Sequence, residues 1–485
     1  TSRLRSREPR KSLEKSRRVF RKNGRFFQFF FNFFLAEMAT HPLRIKPLGN
    51  LYLCEDPQGV MEQRRHSLGF FAFFSEEILI QILTFLPESD MGTLSATSQY
   101  LCGYSTFDEL WKDLFWQKSL SRGIEFGSSW KQSLSCFRSG KKRRIDNGVS
   151  LRNFSDPVLL PKVFSDLLHA PFRTWGLKRL AIENIERRSA ELDIASFQAQ
   201  FEVPNRPMIL TKYIDAHWED FPKTVSEIAS MCAKTIFSCG PVSMTIPQFQ
   251  KYIDSGLYQV DESPYFVFDA WAFANCELKK NYTVPAIFQS DLFDLLSPPF
   301  RPDNAWLLIG PANAASKWHV DPNGTNAWNG VVSGSKRWLM LPPHLGPPPG
   351  VEMSSDSFAV RQPLHLRDWF DSFYQETVRL HGNKGLVECT CRAGEIVFVP
   401  RGWWHCVINL ETTIAVTQNY AAKSSLSHVR SFLKKFPHCV SGIEPPELRP
   451  ETRPRPRALS LFVQSRSLEL LARLSNATKS KKGFC

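Results

Sequence analysis

The chain lacks three features that would place it in a broad protein class: a long apolar run, a disulfide framework and a basic folded body. No apolar segment approaches the ~20 residues that a membrane-spanning helix needs. The eleven cysteines are an odd number, form no C-x-x-C motif and fit free thiols in a reducing compartment. We therefore expect a soluble protein that needs neither a membrane nor disulfide bonds.

The excess of positive charge lies at the two ends of the chain. The formal net charge is +14, of which residues 1–25 carry +9 and residues 448–485 carry +7, so that residues 26–447 carry −2. A folded protein that reads nucleic acid carries its basic surface on the globular body. This distribution therefore argues against direct, sequence-specific recognition of nucleic acid.

Residues 1–68 form a basic and phenylalanine-rich extension, which we expect to be disordered. An arginine- and serine-rich stretch runs into the apolar segment 26–35, which Gln28 and Asn32 interrupt. A basic region before a short apolar run is typical of a targeting segment. Because the first methionine is Met38, an upstream extension that is foreign to the protein is the alternative.

The segment 69–118 predicts a small helical module. Ser75 is a suitable N-cap for a helix with apolar residues at three-to-four spacing that ends at Pro87, and weaker helical signals follow at 94–101 and from Thr106. The order of residues, which closes on L-W-K-x-L, resembles an F-box. That resemblance implies an apolar helix surface for the Skp adaptor of a cullin–RING ubiquitin ligase. A helical subdomain that only packs on its neighbour is the alternative.

Two further segments are predicted to connect or extend the folded parts. Residues 119–170 are interpreted as a linker, and the basic run 141–144 within it fits either a nuclear import address or a solvated loop. Residues 436–485 are interpreted as a basic tail, with helical periodicity over 459–474. We expect a nuclear or cytoplasmic protein, or one that is present in both compartments.

Residues 171–435 consist of short apolar segments separated by glycine, proline and asparagine. Many short strands at such spacing predict a mainly-β sandwich or jelly roll. The segments that read as strands are 207–210, 265–268, 306–309, 337–341, 395–399 and 413–416. Helices are predicted outside the sheets at 177–200, 222–233, 245–254 and 285–296.

Three side chains of metal-binding type are spread over this mainly-β region. His319 and Asp321 follow one predicted strand, and His405 follows another after the corner at 400–402. Residues two apart on a strand share a face, so H-x-D can present an imidazole and a carboxylate to one metal ion. Two imidazoles and one carboxylate are the ligand set of non-haem Fe(II) with open coordination positions. The alternative for Asp321 is to cap a turn that begins at Pro322.

An iron oxygenase that uses 2-oxoglutarate also needs a partner for the far carboxylate of that cosubstrate. A buried carboxylate requires a paired cation and hydroxyl donors. Lys336 is a candidate for the cation, and Thr417 offers a hydroxyl from a neighbouring strand.

Two long blocks of sequence, SKWHVDPNGTNAWNGVVSGSKRWLMLPP and AGEIVFVPRGWWHCVINLETTIAVTQNY, resemble the JmjC family. The resemblance is strongest to the branch described as arginine demethylase and lysyl hydroxylase, and the order of F-box and then JmjC resembles F-box/JmjC proteins. It implies a double-stranded β-helix, the cupin-like jelly roll, over 171–435 with flanking helices. It also implies a dioxygenase that uses Fe(II), 2-oxoglutarate and O₂ to hydroxylate or demethylate protein side chains, with lysine and arginine as the first candidates.

The resemblance implies roles for seven residues at positions that match the motifs of the family. The iron ligands and catalytic centre are His319, Asp321 and His405, and the cosubstrate contacts are Lys336, Asn329, Thr417 and Ser316. The chain departs from the family at one position, where Phe266 stands in place of a frequent tyrosine and Tyr265 is shifted by one. Neighbouring strand residues point to opposite faces, so one hydroxyl donor is lost and weaker binding of 2-oxoglutarate is expected.

Two other functions remain open from the residues alone. One is a non-catalytic F-box adaptor whose jelly roll binds a target for ubiquitination, and the other is a cupin for a sugar or small molecule. A pure binding domain has no need of three ligands together with Lys336, which argues for the oxygenase.

We expect several other conspicuous side chains near these motifs to lie in the core, at the surface or in loops. Trp403 and Trp404 are expected to pack rather than to contact substrate, and Arg337 is expected to be a surface charge or to point away from Lys336. His344 and His381 are expected in solvated loops.

Overall fold

The structure is a computed structural model of the 485-residue chain. It describes residues 45–49, 54–119, 130–131, 134, 158–165, 167–168, 182–240, 242–259, 261, 263–296, 301–354 and 360–440. The chain divides into two compact units, Thr1–Arg173 and Thr174–Cys485. The predictions for the phenylalanine-rich segment 26–35, the basic run 141–144 and the tail beyond Val440 lie outside the described residues.

The N-terminal unit is mainly helical. Its described elements are β1 (Ile45–Gly49), α1 (Pro57–Leu68), α2 (Glu76–Leu83), α3 (Glu88–Ser95), α4 (Gln99–Ser105), α5 (Asp108–Ser119) and β2 (Val158–Phe164), with β1 and β2 paired in parallel. The prediction of a disordered extension over 1–68 is wrong for β1 and α1, and that of a linker over 119–170 is wrong for β2. The reason is burial, because Ile45 and Leu160 belong to the core of the unit.

Helix boundaries in this unit follow the capping residues. Ser75 caps α2 as predicted, since its hydroxyl accepts a hydrogen bond from the backbone N–H of Ile78. The single helix predicted over 94–101 is wrong. The chain leaves the helical path after α3, and the Ser98 hydroxyl starts α4 by accepting from the Leu101 N–H at 3.2 Å.

In the described part of the chain, no single helix has the length and apolar character to cross a membrane. Only the bent pair 57–73 and 76–83, with 66° between its parts, reaches that threshold, and it does so by length and composition alone.

The C-terminal unit is built around two facing β-sheets and also contains two separate two-stranded sheets. Its described strands are β3 (Glu186–Ser189), β4 (Met208–Thr211), β5 (Ile236–Cys239), β6 (Val242–Thr245), β7 (Val267–Asp269), β8 (Ala305–Gly310), β9 (Ala315–His319), β10 (Asn326–Ser333), β11 (Ser335–Leu341), β12 (Glu352–Met353), β13 (Val360–Arg361), β14 (Val387–Arg392), β15 (Ile396–Val399), β16 (Trp404–Asn409) and β17 (Thr413–Tyr420). The larger sheet has the order β3-β4-β15-β10-β17-β8-β7 and the smaller one the order β14-β11-β16-β9. Apart from the parallel pair β3–β4, neighbouring strands in these sheets are antiparallel, so the predicted jelly roll is confirmed.

The helices of this unit flank the sheets. They are α6 (Ile194–Phe197), α7 (Tyr213–His217), α8 (Val225–Met231), α9 (Ile246–Asp254), α10 (Trp271–Ala274), α11 (Leu366–His381) and α12 (Leu426–Lys435). The helix predicted over 177–200 is wrong for the strand β3, whereas residues 194–200 are helical, in α6 and in the π turn Gln198–Glu202. The segment predicted as a helix over 285–296 contains two 3₁₀ turns instead. His381 is the last residue of α11 rather than a loop residue, whereas His344 is exposed as predicted.

Side chains of β11 alternate between two apolar cores. Trp338 and Met340 lie in the cluster between the sheets, whereas Leu339 and Leu341 lie in the cluster beneath α11. This alternation is the two-residue period of a strand that is covered on both faces. It places Lys336, which precedes Trp338 by two residues, on the inner face.

The conspicuous aromatic and basic residues pack as follows. Trp403 belongs to the inner cluster and Trp404 to the cluster beneath α11, so both pack as predicted. Arg337 points away from the face of Lys336, but the surface-charge interpretation is wrong. Its guanidinium is buried and lies 2.9 Å from the carboxylate of Glu388.

Candidate metal centre

The two sheet strands that carry the histidines place them directly opposite each other. His319 is the last residue of β9 and pairs with His405 on β16. Asp321 follows after one residue, and its Oδ1 lies 3.9 Å from the Nε2 atom of each histidine. The three ligand atoms all lie within 4.8 Å of one another, which is a spacing that one metal ion can bridge. The structure thus brings together all three residues of the predicted triad.

Both histidines are oriented by the same kind of hydrogen bond. The Nδ1 of His319 lies 2.7 Å from the backbone oxygen of Lys317, and the Nδ1 of His405 lies 3.0 Å from that of Trp403. A carbonyl oxygen can only accept, so Nδ1 carries the hydrogen and the lone pair of Nε2 faces the centre. Burial lowers the pKa of His405 to about 4, which keeps this imidazole neutral and ready to bind a metal.

The alternative role of Asp321 as a turn cap is not supported. Asp321 does stand at the start of the 3₁₀ turn Pro322–Gly324, but its side chain makes no capping hydrogen bond.

The turn Pro322–Gly324 also packs against α12. A β-carbon at Gly324 would lie 3.0 Å from the backbone of His428, so a side chain there would press against α12.

The centre is accessible from one side. The side chain of His319 is 38 % exposed, whereas those of Asp321 and His405 are 14 % and 5 % exposed. Reactants can therefore approach past His319 while the protein covers the other two ligands.

Lys336 supplies a buried positive charge on the same inner face. Its ammonium donates a hydrogen bond to Asn409 Oδ1 at 3.1 Å, and the described residues offer it no carboxylate within salt-bridge distance. Burial lowers the pKa of Lys336 to about 8. A cation that is buried without an anion is costly, so the site fits a ligand that brings a negative charge.

The pocket at Lys336 is narrow and mostly apolar. Ser316, Phe266, Leu308 and Val407 line it together with Lys336 and Asn409. Ser316 pairs with Val407 across β9 and β16, and a register shift separates this pair from the pair of histidines, so that Val407 is two residues from His405 and Ser316 is three from His319. The predicted contact Ser316 therefore lies beside both the lysine and the metal ligands.

Asn329 and Thr417 face this region from the larger sheet. They pair directly across β10 and β17, and both lie on the strand face that Ala327 and Val331 turn towards the inner core. The Thr417 hydroxyl donates to the Trp328 carbonyl at 2.9 Å. The Asn329 side-chain oxygen is buried without a hydrogen-bond partner among the described residues.

An amide oxygen and nitrogen can be exchanged by a flip of the side chain, so Asn329 can equally present its NH₂ group. A buried cation and an unpaired buried amide together are the groups that a small dicarboxylate such as 2-oxoglutarate needs. The residues present therefore fit Fe(II) at the triad and 2-oxoglutarate beside it.

The departure from the family motif is visible in the pocket. Phe266 lines the pocket of Lys336, so the wall at this position has no hydroxyl group. Tyr265 is buried elsewhere, with its ring 5.6 Å from that of Tyr252. As the sequence predicts, the tyrosine at position 265 instead of 266 leaves the pocket without its hydroxyl group.

Asn409 is a site residue that the sequence motifs did not reveal. It bonds Lys336 and also donates from Nδ2 to the backbone oxygen of Gly310 at 3.1 Å. The only signal for it was its position, because residues four apart on a strand share a face and His405 is four residues earlier.

Comparison with known proteins agrees with this geometry. A family model described as "JmjC domain, hydroxylase" matches residues 306–420, which include all seven predicted site residues. An arginine-specific demethylase of Arabidopsis thaliana (JMJ22) is 35 % identical over 400 residues, or 81 % of this chain and 75 % of the relative.

Two further relatives match shorter parts of the chain. The bifunctional arginine demethylase and lysyl-hydroxylase psr-1 of Caenorhabditis elegans is 34 % identical over 52 % of this chain and 63 % of its own length. The 2-oxoglutarate and iron-dependent oxygenase JMJD4 of Danio rerio is 25 % identical over 52 % of this chain and 63 % of its own length. With a matching domain model and a relative that aligns with most of both chains, the protein belongs to the JmjC family of hydroxylases.

Proposed function

We propose that this chain is an Fe(II)- and 2-oxoglutarate-dependent dioxygenase that hydroxylates or demethylates protein side chains, with lysine and arginine as targets. The observation that carries the proposal is the convergence of His319, Asp321 and His405, whose ligand atoms lie within 4.8 Å of one another. The buried and anion-free ammonium of Lys336 on the same face supports the choice of cosubstrate.

The residues of the site divide the work among them. His319, Asp321 and His405 would hold the metal ion through two imidazoles and one carboxylate. Fe(II) held there, together with 2-oxoglutarate and O₂, would supply the chemistry that hydroxylates a C–H bond. Lys336 neutralises the far carboxylate, and Asn329, Thr417 and Ser316 offer polar groups around the cosubstrate. Phe266 offers no polar group. We therefore expect 2-oxoglutarate to bind less tightly than in relatives with tyrosine at that position.

Both reaction outcomes are compatible with one metal centre. Hydroxylation of an N-methyl carbon releases formaldehyde and so demethylates, whereas hydroxylation of a side-chain carbon leaves an alcohol. Relatives of the chain are named for each of these outcomes on arginine or lysine. We therefore propose a protein substrate, and the residues of the triad do not select between the two products.

Formation of succinate tests the proposal against a non-catalytic adaptor. The purified chain should convert 2-oxoglutarate into succinate when Fe(II), O₂ and a mixture of lysine- and arginine-containing peptides are present. His319→Ala should abolish this turnover, and His344→Ala, an exposed histidine outside the site, should leave it unchanged. An adaptor or a sugar-binding cupin would produce no succinate in any of these samples.

We propose a second function for the N-terminal unit, namely docking to a Skp-type adaptor of a cullin–RING ligase. The supporting observation is an apolar groove that opens between α2, α3 and α4. Its lining includes Phe71, Leu79, Ile82, Leu83, Leu86 and Leu94. An amphipathic helix from a partner binds in a groove of this kind through apolar side chains.

A charge placed in the groove tests the docking proposal. Ile82→Asp should prevent co-purification of the adaptor, because Ile82 lines the groove. Ile78→Asp is the matched control, since Ile78 lies on the same helix, is 45 % exposed and does not line the groove. Equal capture of the adaptor by both variants would reject the proposal, and succinate formation should not change in either.

A further inference from the structure

Two stacked aromatic rings lie at the edge of the larger sheet near the site. The rings of Phe268 and Trp306 are parallel within 3°, with centroids 5.7 Å apart. Phe268 belongs to the edge strand β7 and is 46 % exposed, and Trp306 on β8 is partly exposed. The pair therefore presents aromatic surface to solvent at the edge of the sheet.

The register of the strands places this pair on the cosubstrate face. Trp306 pairs with Thr417, which pairs with Asn329. Residues that pair directly across antiparallel strands share a sheet face. Phe268 pairs with Leu308, and Leu308 lines the pocket of Lys336. The two rings therefore continue the inner face outward from the cosubstrate residues to the solvent-exposed rim.

Several aromatic rings of this chain are covered by its own cations, and this pair is not. Arg188 and Arg206 lie 5.7 Å from the ring centre of Phe201, and Lys279 lies 4.9 Å from that of Tyr282. Among the described residues, no lysine or arginine lies over Phe268 or Trp306. The negative faces of these two rings are thus left for a cation from outside the chain.

We propose that Phe268 and Trp306 form the docking surface for the cationic side chain of the protein substrate, a lysine or arginine with or without methyl groups. The proposal rests on the proposed function and adds to it the residues that select the substrate. A guanidinium or ammonium group is attracted by the ring faces, and the aliphatic stem of the side chain can lie along the same rings.

Peptides that differ at one position test this selection. We would measure the binding of fluorescently labelled glycine–serine peptides with a central arginine, lysine, citrulline or norleucine to the full-length chain by fluorescence polarisation. Citrulline keeps the shape of arginine without its charge, and norleucine keeps the four-carbon stem of lysine without its ammonium group. The wild type should bind each charged peptide roughly three- to tenfold more tightly than its neutral counterpart, as a cation–aromatic contact requires.

Substitutions at Phe268 and Trp306 should reduce the preference for charged peptides to different extents. Phe268→Leu and Trp306→Leu should reduce the preference for the charged peptides towards one, and Trp306→Phe should retain part of it. Phe85→Leu replaces a 78 % exposed phenylalanine of the N-terminal unit and should keep the wild-type preference.

Peptide binding and succinate formation together distinguish the docking surface from the dioxygenase activity on which it rests. Equal binding of norleucine and lysine peptides by the wild type, or an undiminished preference in Phe268→Leu, would overturn the docking surface. A preference that depends on the rings, combined with no succinate from any peptide, would retain the docking surface and reject the dioxygenase.

Discussion

Lys336 and Arg337 are adjacent residues of β11 whose charges lie in opposite environments. Arg337 lies under α11 and is matched by the buried carboxylate of Glu388. Lys336 faces the space between the sheets, where Asn409 is its hydrogen-bond partner and no described carboxylate forms a salt bridge with it. The strand period thus separates a charge that stabilises the fold from a charge that is available to a ligand.

The lowered pKa of Lys336 predicts how binding of 2-oxoglutarate depends on pH. The pKa of about 8 lies below the ordinary value for lysine, so the ammonium form dominates only below about pH 8. An anionic cosubstrate binds that form. The dissociation constant of 2-oxoglutarate, measured anaerobically with Fe(II), should therefore rise above about pH 8 and approach a tenfold increase per pH unit.

Lys336→Arg is the matched control for this titration, because a guanidinium stays charged over the whole range. Its dissociation constant should be flat where that of the wild type rises. Cys391, the cross-strand neighbour of Lys336, does not interfere, since burial raises its pKa well above the ordinary value and keeps it neutral. A wild-type constant that stays level to about pH 9.5 would contradict the lowered pKa of Lys336.

Residue types and spacing predicted the metal ligands, but they could not predict their partners. An H-x-D motif is a weak signal by itself, and the surrounding residues and the resemblance to the JmjC family made His319, Asp321 and His405 the candidate ligands. Asn409 has no such chemical signature. The salt bridge between Arg337 and Glu388 joins residues that are far apart in sequence, so no local pattern predicts it.

At the scale of elements, the turn after β9 decides where the carboxylate of Asp321 lies. The turn Pro322–Gly324 is held by α12, whose His428 backbone would lie 3.0 Å from a β-carbon at Gly324. The Thr325 hydroxyl also donates to the Pro322 carbonyl at 3.0 Å. Contacts with a helix that is distant in sequence therefore position the carboxylate of Asp321.

Gly324→Ala should weaken metal binding without touching a ligand. The new methyl group meets the His428 backbone, so the turn and Asp321 must shift, and we expect the affinity for Fe(II) to fall about tenfold, as for the loss of a group that orients a ligand. The measurement is an anaerobic titration with Fe(II).

Gly346→Ala separates this effect from backbone strain. Gly324 and Gly346 both have positive φ angles, +68° and +71°, so alanine strains the backbone at both positions. A β-carbon at Gly346 meets nothing within 4 Å. Equal affinities of the two variants for Fe(II) would show that α12 does not position Asp321.

The apolar patterns predicted element types well where periodicity was strong and poorly where tertiary contacts decide. The six segments that read as strands all contain strand residues, since alternating or continuous apolar runs reflect sheets covered on both faces. The helix predicted over 177–200 is wrong at residues 186–189 because β3 pairs with β4, a tertiary contact that local propensity does not contain.

At the scale of the whole molecule, the jelly roll brings residues that are far apart in sequence close together in space. His319 and His405 are separated by more than eighty residues, yet they pair directly because β9 and β16 are neighbours in the smaller sheet. Asn329 and Thr417 arrive from the facing sheet. The residues alone indicated the chemistry, whereas their meeting point followed only from the resemblance to a family with a known fold.

The same distinction applies to the N-terminal unit. Its helical character followed from the apolar spacing and from Ser75, but its core also includes β1 and β2, which join segments more than one hundred residues apart. Such long-range pairing is not encoded in any local window of the sequence.

An anaerobic titration of the full-length chain with Fe(II) in the presence of 2-oxoglutarate tests the central claim most directly. Chelation of Fe(II) by the keto acid produces a visible charge-transfer absorption, so metal and cosubstrate are detected together. The wild type should saturate at one Fe(II) per chain, His344→Ala should match it, and His405→Ala should lose the band. A wild type without the band, or a His405→Ala variant that keeps it, would contradict the assignment of the three residues as one iron site.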